Sequence, residues 1–275
     1  MTTYALTVTV AGQPFDMMQY NAAESLTGVF FKSAYDAFNF ENNVLTKITD
    51  ADYPGWSTVT PTSITRSGST ATVTLPSAVN WESGATATVA GAAQTEYNGD
   101  FVISVTDSTH FTYTVTGTPA TPATGTITIK CGRTTVPGIV YLDSYFFVMD
   151  TNAVIYNSAL NDPTTWDALD IITAEKEPGA GVALAKSQSY VIALKEWSTE
   201  FFYNNANSPG SPLEPVLSAF TLVGCASGES VAALDETIYW VSRARQQGPA
   251  VHRMAGLEQT KISTPDVDRI LAADA

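Results

Sequence analysis

The chain has 275 residues, 44% of them hydrophobic and 15% charged, and a formal net charge of −14. That composition excludes a disordered chain, and the acid excess argues against a surface built to grip nucleic acid, which needs clustered Lys and Arg. No apolar run approaches the roughly 20 residues of a membrane helix, so no membrane partner is expected.

The opening MTTYALTVTV lacks the basic start and long apolar stretch of a secretion signal, so synthesis and folding in a cytoplasm are expected. Next, GVFFKSAYDAFNFENNVLTKIT (28–49) reads as paired strands. From about Ser57 to Thr135 the texture changes to Thr, Ser, Ala, Val and Gly. Period-2 runs at 71–75, 85–91, 101–105, 110–117 and 125–130 are broken by SGS, ESG, YNGD and TPATPATG. These predict short antiparallel strands and tight turns, an immunoglobulin-like β-sandwich over residues 57–135.

Beyond it, large aromatics return in repeated hairpins: SYFFVMDTNAVIYNS (144–158), SYVIALKEWSTEFFYNN (189–205) and TIYWVSRARQQGPAVHRMAG (237–256). Tyr145, Tyr190 and Ile238 recur at about 45 to 48 residues, the period of β-propeller blades. The expected fold is all-β: a partial propeller-like array in residues 1–56 and 136–275, interrupted by the sandwich. Residues 138–271 should supply about three blades and residues 4–56 about one more, where a closed propeller needs four to eight. That predicts an array completed by another chain or by further sequence, with blades forming an open sheet as the alternative. EPVLSAF (214–220) and TPDVDRILAAD (264–274) are predicted short helices; Thr264-Pro265-Asp266 gives the second a cap, an N1 proline and a first-turn acid.

The chemistry-bearing residues are few. Asp143, Asp150, Asp162, Asp167, Asp170, Glu196 and Glu200 are the carboxylates to weigh for glycoside cleavage, but nothing in their spacing selects a catalytic pair. In SALNDPTTW (158–166), Asn161 and Trp166 match the Asp-box turn of propeller glycosidases loosely, and that motif is structural. His110 and His252 fall in different domains, which removes a triad or His-based metal site. Cys131 and Cys225 form no disulfide framework, and no activating base neighbours Cys225. No phosphate loop is present, and no catalytic residue, cofactor or metal is expected. One basic cluster stands out: Arg243, Arg245 and Arg253 in SRARQQGPAVHR, with Lys261 nearby. These are candidates for facing an acidic neighbouring subunit or DNA phosphate, beside the plainer reading of a solvated turn.

An ordered series of segments carries a resemblance. KITDADYPG (47–55), VPGIVYLDSYFFVMD (136–150), NDPTTWDALDIITAE (161–175), VALAKSQSYVIALKEWSTEFFYN (182–204), GCASGESVAALDETIYWVSR (224–243) and LEQTKISTPDVDRIL (257–271) together resemble the tail-hub, or nozzle, proteins of short-tailed bacteriophages, also called packaged-DNA stabilisation proteins. The resemblance implies a non-enzymatic virion tail component. It implies a homo-oligomeric ring, expected to be a hexamer, below portal and adaptor proteins, which retains packaged double-stranded DNA and lets it pass on ejection. The inserted module resembles the immunoglobulin-like domains that decorate phage structural proteins. A glycan-binding or glycan-cleaving propeller used in host attachment is the alternative reading, and an adhesin fragment the third.

Overall fold

The computed structural model describes residues 16–21, 27–79, 81, 83–245 and 247–273. The opening MTTYALTVTV and the last residue of the predicted 264–274 helix lie outside them. Six antiparallel sheets account for nearly all regular structure.

The first sheet, blade 1, runs β1 (Asp16–Asn21), β2 (Thr27–Lys32), β3 (Ala37–Glu41) and β4 (Val44–Lys47), paired in chain order. The chain then enters two further four-stranded sheets. One is ordered β10 (Ser104–Asp107), β11 (His110–Thr114), β7 (Thr70–Thr74), β6 (Ser63–Ser67). The other is ordered β5 (Trp56–Val59), β12 (Gly125–Gly132), β8 (Thr86–Ala92), β9 (Gly99–Val102). Alternation decides which face is buried: Ile64, Ala71, Val73, Phe111 and Tyr113 of one sheet meet Ala87, Val89, Ile127 and Ile129 of the other in a single core. The expected single strand over 101–105 is split at buried Ile103, so that β9 and β10 belong to opposite sheets.

Three more blades follow. Blade 2 is β13 (Val140–Leu142), β14 (Tyr145–Met149), β15 (Val154–Ala159) and β16 (Asp162–Thr173). Blade 3 is β17 (Gly181–Ser187), β18 (Tyr190–Lys195), β19 (Thr199–Asn204) and β20 (Leu213–Thr221). Blade 4 is β21 (Gly224–Cys225), β23 (Thr237–Arg243), β24 (Val251–Ala255) and β25 (Glu258–Lys261), with β22 (Ala232–Leu234) also pairing β23. The count agrees with the repeat spacing: one blade before the sandwich and three after. Helix α1 (Pro265–Ala273) forms where the Thr-Pro-Asp start predicts it.

EPVLSAF is not a helix. It lies within β20, the outermost strand of blade 3. Val216, Ala219 and Phe220 have helical spacing, but pairing with β19 at Glu200↔Phe220 and Phe202↔Pro215 decides the conformation.

The blades stack through three successive cores, and the inner strands show why their sequences lack alternation. In β14, Phe146 and Val148 face blade 1, packing with Phe30 and Tyr53, while Phe147 and Met149 face blade 3, packing with Val191 and Ala193. In β18, Ile192 and Leu194 point the other way, toward Ile238, Trp240 and Met254 of blade 4. A strand buried on both faces reads as a continuous apolar run. In the end blades one face alone is packed, and β23 alternates accordingly, with Ile238, Trp240 and Ser242 buried.

Strands of blades 1 and 3, with the segments leading into blade 2 and between β21 and β22, line a cavity of about 340 Å³ through Asp16, Lys32, Val136, Gly181, Val182 and Glu229. Close approach beside this cavity needs glycine. A Cβ on Gly138, whose φ is +104°, would lie 1.8 Å from the Leu184 carbonyl oxygen. The Leu184 amide donates to the Pro137 carbonyl in the same crossing at 2.9 Å.

Candidate functional site

The basic cluster of the last repeat is divided by strand geometry. Arg243 ends β23, and Arg245 lies just beyond it, both above the β18–β19 turn. There the Trp197 ring takes both guanidinium groups, with Arg243 4.3 Å and Arg245 5.8 Å from its centroid. Arg243 also pairs with Glu196 and Arg245 with Glu177, each at 3.0 Å. Two arginines and two glutamates around one tryptophan leave little net charge. A cavity of about 450 Å³ opens beside them, lined by Trp197, Ser242, Arg243, Gln247 and Pro249.

Arg253 and Lys261 sit elsewhere on blade 4. Arg253 is opposite Tyr239 and Thr260 on the face away from blade 3, and among the described residues it forms no ion pair. Lys261 is opposite His252 and reaches forward to Asp268 of α1 at 2.5 Å. Sequence proximity suggested one patch; the pleat separates it into a clamped pair, an exposed arginine and a helix tether.

A buried pair that sequence reading missed lies under the clamp. Lys195 and Glu200 are both almost wholly buried, with Nζ 3.2 Å from Oε1. Lys195 also donates to the carbonyls of Ala174, at 2.6 Å, and Glu177. The Lys176 amide donates to the other Glu200 oxygen at 3.3 Å. The ammonium thus has several acceptors and the carboxylate a second donor, the condition under which a buried pair is tolerated. A lysine closing the apolar run YVIALK, five residues before a glutamate, was the available signal. Lys32 ends blade 1's β2 in the same manner: it pairs with Asp16 at 2.9 Å and donates to the Val136 carbonyl at 2.7 Å. Burial pulls its pKa below the ordinary lysine value, and Asp16 opposes that pull.

Asp150, Asp162 and Asp167 hold backbone turns. Asp150, buried at the DTN turn, accepts from the amides of Asn152 and Val154 at 2.9 and 3.0 Å and from the Tyr156 hydroxyl at 2.9 Å, with Arg133 3.5 Å away. Asp162 accepts from the Thr164 amide and from the Thr164 and Thr165 hydroxyls. So Asp162, not Asn161, closes the SALNDPTTW turn. Asn161 takes the Tyr141 hydroxyl at 3.1 Å, and Trp166 is buried between blades 1 and 2, 5.1 Å from Tyr53. Asp143 accepts from Asn204 at 3.0 Å, and Asp167 from the Leu169 amide at 2.8 Å. Burial, and then repulsion from Asp167, raises the pKa of Asp170.

Both cysteines are free and buried. Burial pushes the Cys131 thiol up to about 11 and raises that of Cys225 as well. His110, on β11 of the sandwich, pairs with Asp107 at 2.9 Å, while His252 packs against Trp240 in blade 4. Among the described residues, no group of three or more His, Cys, Asp or Glu is placed to hold a metal ion, and no helix is long and apolar enough to cross a membrane.

Comparison with known proteins identifies a family. The model of a phage stabilisation family, described as the bacteriophage P22 Gp10 β-propeller, matches residues 71–275. The match takes in most of the two-sheet insertion and blades 2 to 4, and begins after blade 1. No curated protein matches. Among solved structures, the phage phi92 endosialidase aligns at 12% identity and a TM-score of 0.26 over 90% of this chain, which spans 46% of the endosialidase. BBS1N, crystallised in complex with ARL6DN, aligns at 12% identity and a TM-score of 0.30, over 94% of this chain and 68% of its own. Both scores are too low for either likeness to bear on function.

Proposed function

The chain belongs to the phage stabilisation family of the P22 Gp10 β-propeller, DNA-stabilising tail proteins of short-tailed phages, and from that premise we propose that it is a non-enzymatic subunit of a ring in the virion tail. The ring, expected to hold six copies, sits below the portal and adaptor, retains packaged DNA and lets it pass on ejection. Residues 57–135 form an immunoglobulin-like module set outward from the ring. The family match over residues 71–275 carries this reading, and the four stacked antiparallel sheets support it.

The mechanism is mechanical and electrostatic. Stiff blades with shared cores provide a wall, and a net charge of −14 keeps that wall from adhering to a passing polyanion. The basic side chains of blade 4 fit the same role, because Arg243, Arg245 and Lys261 are held by carboxylates of their own chain. Arg253 is the candidate left to meet a neighbouring subunit or DNA phosphate.

The test is genetic. Virions assembled without this chain should package DNA and then lose it, and purified virions should carry the chain as a ring at the tail. Virions that lack it yet keep their DNA, while the isolated chain releases sugar from host glycans, would return the protein to the carbohydrate-active reading.

A further inference from the structure

We propose that a second copy of the chain completes the propeller: the uncovered face of blade 1 packs on the uncovered face of the partner's blade 4, and the reverse contact closes the pair. This rests on the β-propeller family of the chain and not on the ring, whose six copies would be three such pairs. The stacking rule comes from the cores within the chain. Second strands pack on second strands. Phe30 of β2 shares a core with Phe146 of β14, Phe147 of β14 with Val191 of β18, and Ile192 of β18 with Ile238 of β23. In each core the trailing face of one blade covers the leading face of the next. Blade 1 keeps a leading face and blade 4 a trailing face that no blade of this chain covers.

Both faces have the make-up of the packed ones. By alternation, Val29 and Phe31 of β2 and Phe38 and Phe40 of β3 point away from blade 2, and register sets Met17 and Leu45 beside them. Among the described residues none of the six joins any of the four hydrophobic cores, and Met17 is 67% and Leu45 40% exposed. Lys47, opposite Phe38, is already neutralised by Asp36 at 2.7 Å. A sheet face of six apolar side chains, three of them phenyl rings, matches the core of an interface and not a wet surface. On blade 4 the face away from blade 3 carries Leu234, Tyr239, Val241, Val251 and Ala255. Tyr239 apart, these are smaller side chains, so large meets small as an interdigitated layer requires. By the stacking rule Phe31 falls over β23, and Phe38 and Phe40 fall over β24. There Arg253 points outward, and phenyl rings suit its guanidinium. What covers the packed blade faces of this chain is a blade, and a second copy supplies both missing neighbours at once. Four blades and four make eight, within the four to eight of a closed propeller. Two identical contacts about a twofold axis leave no further face open.

The experiment uses the full chain and measures mass in solution by sedimentation. The wild type should run at twice its monomer mass, or at multiples of that pair. Phe38→Asp on blade 1 and Val251→Asp on blade 4 should each weaken pairing by about tenfold or more, because each spoils both contacts of its own pair. An equimolar mixture of the two should pair more tightly than either alone, since one contact of the mixed pair joins two sound faces. A variant that has merely unfolded gives no such rescue. If the variants pair as the wild type does, or the mixture pairs no better than its components, the contact is not blade 1 on blade 4. If the wild type is monomeric up to about 100 μM, further blades of a longer chain or a different protein cover these faces, and the proposal fails. The virion test of the ring can still succeed in that case, because a ring can be built on other surfaces.

Discussion

The rings of Phe30 and Phe146 meet edge to face, with centroids 5.4 Å apart at 68°, and they belong to segments separated by the whole two-sheet insertion. Both are fully buried, and Trp166 and Tyr53 close the same core. The contact joins the blade before the insertion to the blade after it, so the long excursion leaves the stacking of the array intact. Phe146→Ala removes the edge-to-face partner and opens a cavity that neighbouring strands cannot collapse into. It should cost about 3–5 kcal/mol in urea unfolding. A loss below about 1 kcal/mol would mean that blades 1 and 2 are not energetically joined here.

The buried Lys195–Glu200 pair gives a prediction with a distinctive sign. Lys195→Met alone leaves Glu200 charged and enclosed, and should destabilise by about 3–5 kcal/mol; Glu200→Leu alone should do the same from the other side. The double variant should recover much of the loss, because apolar side chains of similar volume replace both charges. Additive losses in this cycle would show that the two side chains act separately.

These two sites mark the limit of sequence reading. The hairpins were legible because β14, β18 and β23 carry aromatic and β-branched residues between polar turns. The repeat spacing placed the blades, as a shared core demands regular units. The turns themselves were harder. Asn42-Asn43, Asp143-Ser144 and Asp235-Glu236 all have positive φ at both positions, the geometry of a two-residue hairpin, without the glycine that usually announces it. β20 was misread because a rim strand has no clean inside and outside, and its apolar spacing happens to be helical. The basic cluster was misjudged as one patch because Glu177, Glu196 and Trp197, its partners, come from the preceding blade. A lysine closing an apolar run was visible at Lys32 and Lys195, but its acceptors, backbone carbonyls above all, cannot be read from side-chain identities.

His252 sets a pH dependence. Burial lowers its pKa from 6.5, the Lys261 charge lowers it further and Asp268 opposes; Trp240 and Gln259 complete its surroundings. Between the folded and unfolded values the unfolded chain holds the proton and the folded chain does not. Stability therefore rises with pH across that window, and is lost as pH falls below about 6.5. The urea midpoint of the wild type should drop more between pH 7 and pH 5 than that of His252→Gln. Parallel curves would mean that the folded ring protonates freely.

The two thiols can report on whether the insertion and the blades open together. Cys131 lies in the core shared by the two insertion sheets and Cys225 in the core between blades 3 and 4. Burial raises both thiol pKa values, so neither should react with iodoacetamide in the folded protein at neutral pH, where the thiolate is the nucleophile. In rising urea each becomes labelled only when its own core opens. Because the insertion buries its hydrophobic residues among themselves, Cys131 and Cys225 should be labelled at different urea concentrations, resolved by mass spectrometry of the two peptides. Labelling of both at one midpoint would show that residues 57–135 unfold with the blades and are not a separate cooperative unit.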